Sequence, residues 1–428
     1  MTVRQTLPLI AGYHPQAILA WGRWGPLTQG RFVADAIALA QTLPAGQYAI
    51  NLCEDRYRFM LALAAVCLRG QTNLLPASAT AMAATALSQQ YPDSYVLNDG
   101  VAQPQGGAAP EQPPEIAAAH VAAIVFTSGT TGAPQPHAKR WRELSATAQL
   151  ARQVFLPGDD TVNIVATVPP QHMYGLETTV FFALSAGCAT SSGKPFFPAD
   201  VRDALAAVPE PRVLITTPIH LRALLASGVA LSTVQLIISA TAPLTTELAA
   251  QVEAAWQVPV REIYGCTEAG SMASRRTREG AQWQLHPEMR IVEREGVVSV
   301  HGAHLSGAIV LNDRIEIDDE RHFHLLGRNA DLLKVAGKRA SLSDLTQRLL
   351  AIPGVEDAVL LVPDGGERPA ALVVAPGLHE SQILAALASQ IDPVFLPRPL
   401  CRVAQLPRDA LGKISREQLQ TLIGKAYE

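Results

Sequence analysis

Four short β-branched runs, Val121–Phe126, Asn163–Val168, Arg212–Thr217 and Val234–Ile238, recur through the middle of the chain, each followed by helical sequence. Runs this short and apolar suit strands buried on both faces. Alternation with helices points to parallel pairing, because each helix carries the chain back to the start of the next strand. Tyr48–Leu52 extends the pattern as a further buried strand, Tyr57–Arg69 as an Ala/Leu-rich helix, and Pro243–Trp256 as the helix after the fourth run. Asn98–Glu115, rich in Pro, Gly, Ala and Gln, reads as a connector. The expected fold is α/β: a large N-terminal domain of mostly parallel sheets with helices over residues 1–328, and a small C-terminal α+β domain over 329–428. Gly296–Val310 reads as short strands and turns. The small domain reads as helix Ser341–Ile352, strands Ala358–Val362 and Ala370–Val374, and helix Glu380–Gln390.

Composition narrows the function. Lys and Arg total 34 against 38 Asp and Glu, a net charge of −4, which argues against nucleic-acid or membrane-surface binding through bulk charge. No apolar run approaches the roughly 20 residues of a membrane-spanning helix, and no signal peptide is expected from the first residues. Cys53, Cys67, Cys188, Cys266 and Cys401 are scattered, odd in number and without metal-ligand spacing. The expectation is a reduced, cytoplasmic protein with neither structural disulfides nor zinc.

The run Ala122–Phe126 leads directly into Thr127-Ser128-Gly129-Thr130-Thr131-Gly132. Glycines let backbone N–H groups converge on an anion and the hydroxyls can donate to phosphate oxygens, so the segment suits polyphosphate. It is not a Walker A loop, since no Gly-Lys-Ser/Thr follows. Taken alone, an ordinary surface turn explains it equally well. Three further segments follow in order: Tyr264-Gly265-Cys266-Thr267-Glu268, then Gly327-Arg328 leading to Val335-Ala336-Gly337-Lys338-Arg339, then Pro407-Arg408-Asp409-Ala410-Leu411-Gly412-Lys413.

Together the four segments resemble the adenylate-forming superfamily of acyl- and aryl-CoA synthetases, peptide-synthetase adenylation domains and luciferases. The resemblance runs from about Ala122 to the C-terminus and fades before it. It implies two half-reactions: a carboxylate and ATP give an acyl-adenylate and pyrophosphate, then a thiol, that of CoA or of a carrier protein's phosphopantetheine, captures the acyl group. By resemblance, Thr127, Ser128, Gly129, Thr130, Thr131 and Gly132 grip the β- and γ-phosphates. Thr267 contacts the α-phosphate, Glu268 holds Mg²⁺, Asp313 accepts the ribose hydroxyls, and Arg328 lies near ribose and phosphate. Lys413 is the catalytic lysine of a mobile small domain, and Gly337 admits the pantetheine arm when that domain turns.

Val168-Pro169-Pro170-Gln171-His172-Met173-Tyr174-Gly175 resembles the family's Pro-x-x-His segment at the carboxylate pocket. It assigns His172, Tyr174 and Gly175 to that pocket, with Ser239, Ala240, Thr241 and Tyr264 as further wall residues and Tyr174 as a partner for a ring hydroxyl. No aspartate stands there to pair an α-ammonium, so an amino acid substrate is disfavoured. An aryl acid is the favoured substrate, and fatty or hydroxy-acyl acids stay open. Arg398, Arg402, Arg408, Lys413 and Arg416 against Asp409 suit an acidic acyl carrier protein. The chain looks like the compact ligases encoded beside carrier proteins in aryl-polyene and related pigment pathways.

Three departures stand out. Gln135 replaces the usual lysine after the phosphate loop, with Lys139 further along. Ala330 occupies the hinge position. The N-terminal lobe before Ala122 is shorter than is usual in the family. These departures keep open a non-catalytic scaffold or carrier-protein docking module, against which the set Glu268, Asp313, Arg328 and Lys413 counts.

Overall fold

The computed structural model describes residues 5–23, 25–100, 106–127, 135–328, 332–335, 338–363, 366, 368–409, 412, 414 and 416–427. The chain forms two compact units. One comprises Met1–Gly280, Gln284–Arg290 and His301–Ile309, the other Ala281–Trp283, Ile291–Val300 and Val310–Glu428.

In the first unit, β1 (Thr6–Pro8), β2 (Ile18–Gly22) and β3 (Gly25–Thr28) precede β4 (Tyr48–Asn51), β5 (Thr72–Leu75) and β6 (Ser94–Leu97). β7 (Glu115–Ala117) pairs back on β1. β8 (Val121–Thr127) and β9 (Gln135–Arg140) follow, then β10 (Asn163–Ala166), β11 (Ala189–Ser191), β12 (Arg212–Thr216), β13 (Leu236–Ser239), β14 (Val260–Cys266) and β15 (Gly270–Arg275).

Two sheets result. The first has the order β6-β4-β5-β8-β9, parallel except for β9, which runs antiparallel to β8 with Val125 opposite His137 and Thr127 opposite Gln135. The second contains the run β15-β14-β13-β12-β10-β11-β2-β3, parallel from β14 to β2, with β15 antiparallel to β14 and β3 antiparallel to β2. It continues past β15, where Ser274 and Ala273 pair antiparallel with Gln284 and Leu285. β10 and β13 are buried along their whole length, as strands covered on both faces require. On one face Val165, Leu214 and Ile237 pack with Leu205, Leu221 and Val252, which come from helices Pro198–Ala206, Pro218–Ser227 and Thr246–Trp256. The last of these starts later than its sequence suggests. Thr245 caps it by accepting from Leu248 N, which leaves Pro243 and Leu244 outside the helix.

The second unit carries an antiparallel pair, Asp313–Ile317 with His322–Arg328. It also holds a sheet of Asp357–Leu361, Ala370–Val374 and Leu400–Arg402. Ala370–Val374 is buried throughout. Ala371 and Val373 join Leu345, Leu349 and Ile383 on one face, while Leu372 and Val374 join Leu419 and Ile423 on the other. The period of two thus gives one strand two separate cores. Among the described residues no helix is long and apolar enough to cross a membrane.

Candidate active site

Candidate residues of the first unit collect at the C-terminal ends of its parallel strands, where open α/β sheets bind ligands. Thr127 ends β8, Thr216 ends β12, Ser239 ends β13, and the turn bearing Thr267 and Glu268 follows β14. Ser128, Gly129, Thr130, Thr131 and Gly132 lie outside the described residues, as do Lys413, Gly337 and Ala330.

The structure brings Thr127 and Glu268 to the same histidine. His137 Nε2 lies 3.2 Å from Thr127 Oγ1, and its Nδ1 lies 3.8 Å from Glu268 Oε1. His137 and Lys139 share one face of β9 because they are two residues apart. Lys139 is buried, and its Nζ donates to the main-chain carbonyl of Glu268. Desolvation pulls the Lys139 ammonium below its ordinary range, with Cys266, Glu143, Glu268 and Glu177 opposing. A cavity of about 320 Å³ lies against this turn, lined by His137, Lys139, Glu143, Met173, Glu268 and Ser306 among others.

The wall proposed for the carboxylate is built around Gly175. A Cβ there would meet Pro169 O at 2.1 Å, so only glycine lets the His172–Gly175 turn fold back on Pro169. His172 stands half-buried at the N-cap of the short helix Met173–Gly175. Tyr174 Oη lies 2.9 Å from Ile238 O and 3.2 Å from Thr216 O, so its one proton is engaged by main chain and only its lone pairs remain for a ligand. Ser239 is fully buried, and its hydroxyl finds no partner among the described residues. Ala240 is buried beside it, and Thr241 holds φ at +78°, a left-handed value that strains a β-branched residue. Tyr264 is half-buried on β14, just before a register shift between Tyr264 and Gly265.

Several supporting residues carry no sequence motif. Arg56 is fully buried, yet its donors reach Thr179 Oγ1 at 3.1 Å and the carbonyls of Ser191, Gly193, Ala166 and Val168. It ties its helix to the strand ends beneath Pro169. Glu177 sits in a π-helix, Leu176–Phe181, and its carboxylate accepts from Ser271 N at 2.8 Å and from Ser271 Oγ. A π-turn is rare and recurs near functional sites. Burial pushes the Glu177 carboxyl up to about 7, against the pull of Ser271 and Lys139.

In the second unit Asp313 and Arg328 are direct partners in the antiparallel register. The segment before Lys413 is tied down by Arg408, whose Nε and Nη2 each donate to Asp357 at 2.6 Å while Nη1 donates to Gly412 O at 2.6 Å.

Among the described residues no group of three His, Cys, Asp or Glu side chains could hold a metal. A lone turn carboxylate beside a hydroxyl does not fit zinc. It does fit Mg²⁺, which takes one or two carboxylates and completes its shell with water and phosphate oxygens.

Residues 38–313 match the family model described as AMP-binding enzyme. The chain belongs to that family. Probable CoA ligase CCL5 of Humulus lupulus is 26% identical over 348 residues, covering 70% of this chain and 63% of that protein. The 4-coumarate–CoA ligase of Rhodobacter capsulatus is 29% identical over 271 residues, 63% of this chain and 67% of that one. The 3,4-dihydroxybenzoate–[aryl-carrier protein] ligase of Bacillus anthracis is 22% identical over 308 residues, 69% and 73% of the two. The match to the Humulus protein thus spans somewhat less than two thirds of its length. The crystal structure of ATP-bound MatB from Rhodopseudomonas palustris superposes with a TM-score of 0.79 at 20% identity, covering 98% of both chains. That likeness establishes the fold.

Proposed function

We propose that the protein is an ATP-dependent carboxylate-activating ligase that forms an acyl-adenylate, releases pyrophosphate and passes the acyl group to a phosphopantetheine thiol. The observation that carries this reading is the turn after β14. It brings Glu268 to His137, the histidine that also contacts Thr127, the residue just before the hydroxyl- and glycine-rich stretch in sequence, in a chain of the AMP-binding family.

In this reading Thr127 to Gly132 cradle the β- and γ-phosphates, and Thr267 orients the α-phosphate. Asp313 and Arg328, paired across two strands, hold the ribose. Glu268 holds Mg²⁺, which offsets the repulsion between a carboxylate and a polyanion and stabilises the pyrophosphate that leaves. Lys413, carried by a mobile domain of residues 329–428, bridges the attacking carboxylate and the α-phosphate. At about 4 Å and an effective dielectric near 20 such a contact is worth about 4 kcal/mol. If it is made only in the transition state, its loss slows adenylation about a thousandfold.

An aryl acid is the favoured substrate. The buried hydroxyl of Ser239 and the lone pairs of Tyr174 offer polar contacts that a plain fatty chain has no use for. The curated relatives named for 4-coumarate and 3,4-dihydroxybenzoate point the same way. For the thiol, the aryl-carrier relative and the basic stretch Arg398–Arg416 support a carrier protein over free CoA.

The test is pyrophosphate release with ATP and Mg²⁺ across benzoates, cinnamates, fatty acids and hydroxy acids, each with CoA, with a holo carrier protein, and with neither. Release is expected for aryl acids, thioester is expected on the carrier protein, and Lys413→Ala should lose the release. Release confined to fatty acids would correct the substrate. Silence of the wild-type chain, together with no ATP binding, would overturn the reading in favour of a non-catalytic scaffold.

A further inference from the structure

Two charged side chains with no part in the scheme above converge on the turn that bears Glu268. Lys139 is 5% exposed and Glu177 is 1% exposed. Lys139 comes from β9 and donates to Glu268 O. Glu177 comes from the π-helix and accepts from Ser271 N and Ser271 Oγ on the far side of the turn. Between them Gly270 has φ +79°, and a Cβ there would lie 3.0 Å from Glu177 Oε2 and 2.9 Å from Thr147 Cγ2, so the turn's backbone is pressed against the carboxylate.

Each buried charge costs several kcal/mol in lost hydration, and an apolar pair of similar volume would fill the same space more cheaply. Keeping two ionisable side chains here is accounted for by what they hold. Each fixes main chain on one side of the turn, and each lies near enough to favour the other's charged form. Gln135, on the same strand face as Lys139, leaves the phosphate loop without its usual lysine, and the lysine of β9 lies four residues further along, donating to the turn's main chain.

We propose that Lys139 and Glu177 form a buried clamp on the turn from Cys266 to Ser271 that aims the Glu268 carboxylate at the metal-bound nucleotide. Both are positioning residues, acting through Glu268. The inference rests on the reading of Glu268 given above.

The test uses the full chain with Mn²⁺ and ATP. Binding of Mn²⁺ as its ATP complex is read from the protein-dependent enhancement of water-proton relaxation over a protein-free Mn²⁺–ATP control, alongside the Mg²⁺ dependence of pyrophosphate release and circular-dichroism melting. Lys139→Met is expected to weaken Mn²⁺ binding about tenfold and to raise the Mg²⁺ concentration needed for half-maximal release. Lys139→Arg should recover most of both. Ser271→Ala, which removes one bond of the clamp and leaves both charges in place, should shift Mn²⁺ affinity in the same direction by about threefold, and it carries the test if Lys139→Met does not fold. A packing role alone would move the melting temperature and leave Mn²⁺ affinity at the wild-type value. That result in a folded variant overturns the clamp while leaving the ligase reading intact. A wild-type chain that neither binds Mn²⁺ with ATP nor releases pyrophosphate overturns both.

Discussion

Glu177 makes the case that a single buried group can set how stability follows pH. Its carboxyl is raised from the ordinary 4.5 to about 7 by burial. Between those values the folded chain binds a proton that the unfolded chain has released. The resulting stability is therefore fully present below about pH 4.5 and lost as pH rises through about 7. The difference amounts to about 3 kcal/mol. His220 acts in the opposite sense. Buried against Thr217 and Thr167, it is held down to about 4, so its contribution is present above about 6.5 and lost as pH falls toward 4. The two slopes oppose each other, and the wild-type melting curve alone hides both. The difference between wild type and Glu177→Gln isolates the first. That difference should shift against the wild type from about pH 5 to about pH 7 and level off near pH 8. A difference constant across this range would show that Glu177 does not titrate there.

At the scale of elements, Arg408 shows how a motif is mounted. Its fork binds both oxygens of Asp357 at the start of strand Asp357–Leu361, and its remaining donor holds Gly412 O, one residue before Lys413 in sequence. A bidentate guanidinium fixes direction as well as distance, which a lysine cannot do. Arg408→Lys is therefore expected to slow adenylate formation at least tenfold while thiol capture of supplied acyl-adenylate stays near wild type. Equal loss in both assays would place the arginine's role in folding of the second unit. Strands with a strong period or a β-branched run were legible from sequence: Ala370–Val374 has the limits its sequence predicts, and Tyr48–Asn51 and Arg212–Thr216 each end one residue early. β9 was not legible. Gln-Pro-His-Ala-Lys-Arg has no β-branched residue, and its strand identity comes from pairing with β8 across the phosphate loop. The π-helix at Leu176–Phe181, buried along its whole length, also lacks a sequence signal. For this reason Glu177, whose partners are distant in sequence, surfaced only in three dimensions, while Lys139 was visible in sequence as the lysine beyond Gln135 but its contact with Glu268 was not.

At the scale of the molecule, the chain divides into two units with separate cores, and Lys413 and Gly337, assigned to different half-reactions, both fall within the sequence of the second. In the proposed scheme Lys413 serves the first half-reaction. Gly337, between Leu332–Val335 and Lys338–Ser341, is assigned to the second, where a pantetheine arm must pass close to main chain. Nothing in adenylation requires that passage. An indole at position 337 is expected to obstruct that passage by its volume, and the substitution alters none of the residues assigned to the first half-reaction. Gly337→Trp is accordingly expected to release pyrophosphate in a single turnover at close to the wild-type rate, to accumulate acyl-adenylate, and to lose thioester formation by at least a hundredfold. Lys413→Ala should show the reverse: no adenylate from acid and ATP, and near-normal capture when acyl-adenylate is supplied. The pair of variants separates two working states by function, without reference to domain geometry. If Gly337→Trp makes thioester at the wild-type rate, the thiol reaches the adenylate by a path that avoids this loop. If it loses both half-reactions, the loop serves nucleotide binding, and the assignment of Gly337 to the second step fails.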